Sequence, residues 1–336
     1  MFRFIRRGLA FLLVAAAIAG TYLYFEINSP YGGFTEPVFF EYERGASGAE
    51  TAATLEQLGV VRSRWLFVAA RALNPGAVLM AGEYRFSAPD SPAGILSRFA
   101  KGDVFLRPLT IPEGLTRFEV SSLVAAAGYA GEDEFLQLTA DPAPMHDLFP
   151  EATSLEGFLF PETYRLAKTA TGEQILAAML ANFRQAFAAA SEGVETDLSP
   201  YQTLTLASLI EKESGIPSER PLISAVFHNR LQRGMLLQCD PTIIYGMILE
   251  DRYRGTILLA DLKDPHPYNT YVHGGLPPGP IANPGAESLR AALAPADSQY
   301  IFFVANPGGG GDHSFSSTLS EHNQAVARLR AARNAP

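Results

Sequence analysis

Two glutamates close one apolar helix. Across residues 204–214 (LTLASLIEKES), a turn of 100° per residue gathers Leu204, Leu206, Ala207, Leu209 and Ile210 into a broad stripe. Lys212 falls nearly opposite that stripe, in solvent, and Glu211 and Glu213 fall on its two margins. A carboxyl group at the edge of an apolar face loses hydration, which favours its neutral form and suits a general acid. Ordinary boundary glutamates occupy the same kind of position. The helical wheel does not choose between the two.

Other chemistries find no support. The histidines at 266, 273, 313 and 322 are scattered without HExxH spacing, which argues against a zinc hydrolase. There is no GxSxG elbow and no Walker-type phosphate loop. Cys239 is the single cysteine, so neither an intramolecular disulfide framework nor a four-cysteine zinc site is available. No histidine is paired with it by sequence, and it reads as a small buried filler. No metal and no cofactor are expected. A net charge of −9, with no long basic run beyond the first residues, argues against nucleic acid as a partner.

Residues 267–285 (PYNTYVHGGLPPGPIANPG) form the second notable stretch. So many turn-formers among tyrosines and amides predict a rigid irregular loop. Aromatic faces and neutral amide donors suit sugar hydroxyls and acetamido groups. Glycoside cleavage by hydrolysis usually takes two carboxyl groups about 5–10 Å apart. A lytic mechanism takes one, which protonates the leaving oxygen and then deprotonates the sugar's own 6-hydroxyl as it attacks C1.

The elements that must carry these groups are set by the remainder of the chain. Arg3, Arg6 and Arg7 precede an uncharged apolar run over 8–25, ended by Glu26. That run is close to the ~20 residues that span a bilayer. Basic residues before it predict a cytoplasmic N-terminus and export of the chain beyond Glu26. Ala17-Ile18-Ala19 resembles a signal-peptidase site, but the apolar run continues past it, which favours an uncleaved anchor. A linker over 27–37 leads to a strand–helix–helix–strand packet over 38–107, followed by a helical region over 108–150. Thr116 and Glu119 form a capping box. Residues 155–166 (LEGFLFPETYRL) are aromatic and kinked by Gly157 and Pro161. Amphipathic helices are expected over 171–190 and after Ser218, which reads as an N-cap. A buried strand is expected over 300–304 and a terminal helix over 320–332.

Residues 207–213 (ASLIEKE), 218–220 (SER), 226–231 (VFHNRL), 234–238 (GMLLQ), 240–246 (DPTIIYG), 268–271 (YNTY) and 275–281 (GLPPGPI) together resemble the endolytic murein transglycosylase family, also called MltG or YceG-like. Residues 109–114 (LTIPEG) and 155–164 (LEGFLFPETY) resemble further segments of it. Cys239 departs mildly from the small polar residue expected there. The resemblance implies an α+β protein with an N-terminal transmembrane helix over 8–26, a LysM-like α+β subdomain over 38–107 and a larger mixed α+β catalytic domain over 151–336. It implies a single-pass protein of the bacterial inner membrane, with residues 1–7 cytoplasmic and the catalytic domain periplasmic. It also implies lytic cleavage of nascent glycan strands between N-acetylmuramic acid and N-acetylglucosamine, leaving 1,6-anhydro-N-acetylmuramic acid ends and terminating elongation. Peptidoglycan glycan strands and cell-wall synthases are the implied partners. The first Glu of the E-K-E segment, the family's acid and base, lands on Glu211. Glu219, Asn229, Arg230, Gln238, Asp240, Thr242, Tyr245, Tyr268, Asn269, Thr270 and Tyr271 are the candidate cleft residues. Some of these have structural readings: Arg230 and Asp240 as a pair, or Asp240 as a helix cap. The alternatives are a muramidase-type hydrolase using Glu211 with Glu213 or Glu219, and a non-catalytic glycan-binding partner of the synthesis machinery.

Overall fold

The computed structural model describes residues 2–308 and 310–333. The chain forms two compact units, one of residues up to 108 together with 165–169, the other of 109–164 and 170 onward.

The first unit begins with helix α1 (Phe2–Asn28), of which Phe4–Asn28 is long and apolar enough to cross a membrane. The helix takes in the arginines expected to precede it and runs past Glu26; no proline interrupts 2–28. Its apolar face stands exposed over residues 4–25, whereas Ile27 is buried in the unit's core. Strand β1 (Val38–Tyr42) pairs antiparallel with β2 (Gly82–Phe86), with Phe40 opposite Tyr84. Between them lie α2 (Gly48–Gln57) and α3 (Arg64–Ala72), capped by the Ser47 and Ser63 hydroxyls. Helix α4 (Pro92–Lys101) starts at Ser91 and stops at Gly102, whose φ of 67° is the left-handed conformation that glycine adopts without cost. Phe99 of α4 is the hub of the core. Its ring meets those of Phe40, Tyr42, Phe67, Tyr84 and Phe86, at 4.3 Å for Tyr84.

Strand β3 (Leu106–Ile111) pairs with β4 (Glu162–Ala167), a strand that the kinked 155–166 segment did not announce. In the second unit, α5 (Arg117–Ala126) opens on the expected capping box, Thr116 with Glu119. Helices α6 (Glu132–Leu138), α7 (Gly172–Ser191) and α8 (Pro200–Glu213) come next, then a single 3₁₀ turn (Pro217–Glu219), α9 (Arg220–Gln232) and α10 (Asp240–Leu249). Because residues 217–219 close as a 3₁₀ turn, Glu219 and not Ser218 precedes α9, and its side chain makes no capping bond. Helix α11 (Ala286–Leu293) packs on α8, and β5 (Phe302–Ala305) pairs antiparallel with β6 (His313–Ser316) before α12 (Leu319–Arg333). Strand β5 is half-buried, not buried as expected, because it belongs to a two-stranded sheet.

Helix α8 is not amphipathic in place. Every residue from Thr203 to Ile210 is buried, and Thr205 and Ser208 have hydrogen-bond partners there. Thr205 donates to the Tyr201 carbonyl, while Ser208 donates to the Thr205 carbonyl and accepts from the Ile281 amide. Replacing Phe99 by Ala is expected to destabilise the first unit by about 3–5 kcal/mol, the usual cost of deleting a fully buried aromatic, measured by urea unfolding at fixed pH.

Candidate active site

The buried helix α8 delivers Glu211 at its last turn. The side chain is 6% exposed, and both oxygens face donors: Oε1 accepts from Arg220 Nη2 at 3.1 Å and Oε2 from the Gly285 amide at 3.0 Å. Arg220, the first residue of α9, is itself only 9% exposed. Its same Nη2 donates to Oε2 of Glu113 at 2.9 Å. Glu113 sits in the turn after β3 and is 44% exposed, so the three charged groups grade from buried to open. The two carboxylate oxygens on one nitrogen lie no more than about 6 Å apart.

Two glycines make this close packing feasible. Gly114, at φ +78°, brings the Glu113 turn against α8, and its carbonyl accepts from Lys212 Nζ at 3.0 Å. Lys212 is exposed, as the helical wheel suggested, with its ammonium tethered to that carbonyl. At Gly285 a Cβ would fall 1.9 Å from Glu113 Oε1, so the absent side chain is the space the carboxylate occupies.

A third carboxylate, Glu156, is only 2% exposed. It accepts from the Arg117 amide at the start of α5 (3.0 Å), from Tyr245 Oη of α10 (3.0 Å) and from Asn283 Nδ2 (3.1 Å). Asn283 also donates its amide to the Leu115 carbonyl, accepts from the Gly114 amide, and offers Oδ1 to the Leu159 amide. Burial pushes the Glu156 carboxyl up to about 7, against the opposing pull of its Arg117 and Tyr245 hydrogen bonds.

Two hollows flank the cluster. One, of about 360 Å³, is lined by Thr116, Lys212, Tyr245, Tyr253 and Ile281 among others; the second, of about 190 Å³, is lined by Ser218, Arg220, Glu287 and Arg290 among others. Each thus includes a neighbour or a partner of Glu211.

The expected cleft residues divide. Tyr245 lines the larger hollow, and its ring packs 5.0 Å from that of Tyr268. Gln238 is exposed at φ 49° with its amide on the Thr270 carbonyl, and Tyr271 Oη donates to Asp240 Oδ1 at 2.6 Å. Asp240 thus pairs with Tyr271 in place of Arg230, and it is the first residue of α10, not its cap. The rest use their polar atoms on the fold. Asn229 donates to the Ser298 and Tyr300 carbonyls, and Arg230 to those of Ile301 and Leu237. Asn269 donates to the Asp261 and Asp264 carbonyls, and Thr242 and Thr270 share a buried hydroxyl contact. Glu219 accepts from the amide and ring of His313. Glu213 lies against the buried Cys239, and desolvation raises its pKa; the effect foreseen for a margin carboxylate is seen at Glu213. Burial and the Glu213 charge push the Cys239 thiol well up, which makes it an inert filler. Among the described residues no group of three or more His, Cys, Asp or Glu side chains could hold a metal ion.

Residues 40–328 match the YceG-like family. The chain belongs to that family. Among YceG-like proteins it is 30% identical to the endolytic murein transglycosylase of Bacillus subtilis (strain 168), over 86% of this chain and 84% of that protein. It is 29% identical to the endolytic murein transglycosylase of Streptococcus pneumoniae serotype 2 (strain D39), over 84% of this chain but only 56% of that protein. A crystal structure of a yceG-like protein from Listeria monocytogenes superposes with a TM-score of 0.54 at 32% identity, covering 86% of this chain and 99% of that one.

Glu113, Glu156, Asn283 and Gly285 were not among the residues expected at the site. The signal was present: Glu113 and Glu156 each interrupt an apolar segment next to a glycine (IPEG and LEGF). Glu156 makes one prediction. Its carboxyl titrates near 4.5 when unfolded and about 7 when folded, so the fold gives up stability as pH rises between these values, reaching about 3 kcal/mol above pH 7. Glu156→Gln lacks this slope. Its stability relative to the native chain is expected to rise from pH 5 to pH 8, measured by thermal or urea unfolding at each pH.

Proposed function

We propose that this YceG-like protein is a membrane-anchored endolytic murein transglycosylase in which Glu211 is the catalytic acid. The observation that carries the reading is the placement of Glu211: nearly buried, fixed at both oxygens, and bounded by residues of two hollows. A glycan strand lying through both hollows would bring a glycosidic oxygen to this carboxyl group. Protonated Glu211 gives its proton to the oxygen leaving C1 of the N-acetylmuramic acid residue. The C1–O bond breaks with its electron pair going to that oxygen. The 6-hydroxyl of the same sugar closes on C1, and its proton passes to the Glu211 carboxylate, which is reset. No water is consumed, and one positioned carboxyl group suffices for both proton transfers.

Helix α1 supplies the anchor, with the arginine-bearing N-terminus in the cytoplasm and the chain beyond it in the periplasm, where nascent strands and their synthases are found. The first unit, with its β-α-α-β order, fits the LysM-like module that the family resemblance implies. Of the candidate cleft residues, Tyr245, Tyr268, Gln238 and Tyr271 remain as sugar contacts, and the others support them.

Glu211→Gln is expected to lower turnover on isolated glycan strands by a factor of about 10² to 10⁴ while leaving the unfolding transition in place. Mass spectrometry of the fragments should find ends one water lighter than reducing sugars, with no ¹⁸O taken up from labelled water. Reducing ends carrying ¹⁸O would replace this reading by a hydrolase. Binding without any cleavage would replace it by a glycan-binding module.

A further inference from the structure

We infer that Glu113 is a positioning residue for the acid step: it shares the Arg220 guanidinium with Glu211 and thereby lets Glu211 carry the proton that it must donate. This deepens the transglycosylase reading and rests on it.

The difficulty it resolves is electrostatic. A general acid has to be protonated before the bond breaks, and Glu211 shares a nearly buried guanidinium as well as accepting from a backbone amide. Arg220 is nearly buried, so it cannot be left without a counter-charge when Glu211 takes up a proton. Glu113 supplies that charge from the same Nη2, at 2.9 Å against 3.1 Å for Glu211. With Glu211 neutral, the Arg220–Glu113 pair remains closed and the cluster carries no net charge. With Glu211 ionised, the two carboxylates compete for one cation and repel one another at no more than about 6 Å.

The other charged groups around Glu211 are already engaged. From α8, Lys212 is held on the Gly114 carbonyl. From α11, Glu287 and Arg290 pair with each other. From α5, Glu119 is committed to its capping box with Thr116. Gly285 contributes only its amide and the space that Glu113 fills.

The test is the pH–rate profile of the full chain in detergent on isolated, uncrosslinked glycan strands. Glu113→Gln keeps the shape and removes the charge, leaving Arg220 to Glu211 alone. Its kcat/KM is expected to lose the alkaline limb about one pH unit earlier, a fall of about tenfold at neutral pH that acid pH restores. Glu113→Asp, which keeps a carboxylate, should recover part of the shift. Gly285→Ala offers an independent route. Its backbone (φ −78°) accepts alanine, its amide is retained, and its methyl group would displace the Glu113 carboxylate. The same alkaline shift is expected, and it stands in for Glu113→Gln should that variant not fold. An unmoved alkaline limb in both variants, or a loss equal at every pH, would overturn the inference. An inactive Glu211→Gln beside a Glu113→Gln with native profile would remove this inference alone, whereas an active Glu211→Gln would remove the catalytic reading beneath it.

Discussion

A carboxylate sealed from water holds the second unit's site together. Glu156 gathers the Arg117 amide, the Tyr245 hydroxyl and the Asn283 side chain, which come from α5, α10 and the loop before α11. Asn283 then ties that loop to residues 114, 115 and 159 with every polar group it has. An ionisable group in such a place is costly, and its raised titration is the measure of that cost. What it secures is register between segments more than a hundred residues apart. Two residues after Asn283, Gly285 presents its amide to Glu211.

Charge at the site is arranged by depth. Glu156 is innermost, Glu211 and Arg220 are nearly buried, and Glu113 opens to solvent. Desolvation strengthens the inner contacts, and the outer carboxylate stays free enough to answer changes in its partner. Helix α8 can hold Glu211 steady because it is buried from Thr203 to Ile210, with Thr205 and Ser208 satisfied within the helix or by the Ile281 amide. A mobile surface helix bearing the same E-K-E segment would not fix both carboxylate oxygens.

Two threonines and an asparagine of the 238–271 region use their polar groups on the framework. Thr242, Asn269 and Thr270 are buried and bind one another or backbone carbonyls, which pins the irregular loop against α10. Side chains that suit sugar hydroxyls equally suit the unpaired carbonyls of a loop without regular structure, since both need short, directed hydrogen bonds. Composition does not separate the two uses; burial does.

By itself, the sequence determined the elements whose causes are local. The caps at Ser47, Ser63, Ser91 and Thr116, the left-handed stop at Gly102, the apolar span of α1 and the β-α-α-β order of the first unit all arise from residue types at fixed short spacings. The E-K-E segment at the end of α8 was legible in the same way, and family resemblance singled out Glu211 within it. Only the tertiary structure decided that α8 is buried on all sides, that Glu213 rather than Glu211 lies against Cys239, and that Glu113 arrives beside Glu211 through Arg220. Those facts depend on segments distant in the chain, brought together by burial and long-range hydrogen bonds. No periodicity within a single helix encodes which carboxylate a remote arginine will meet.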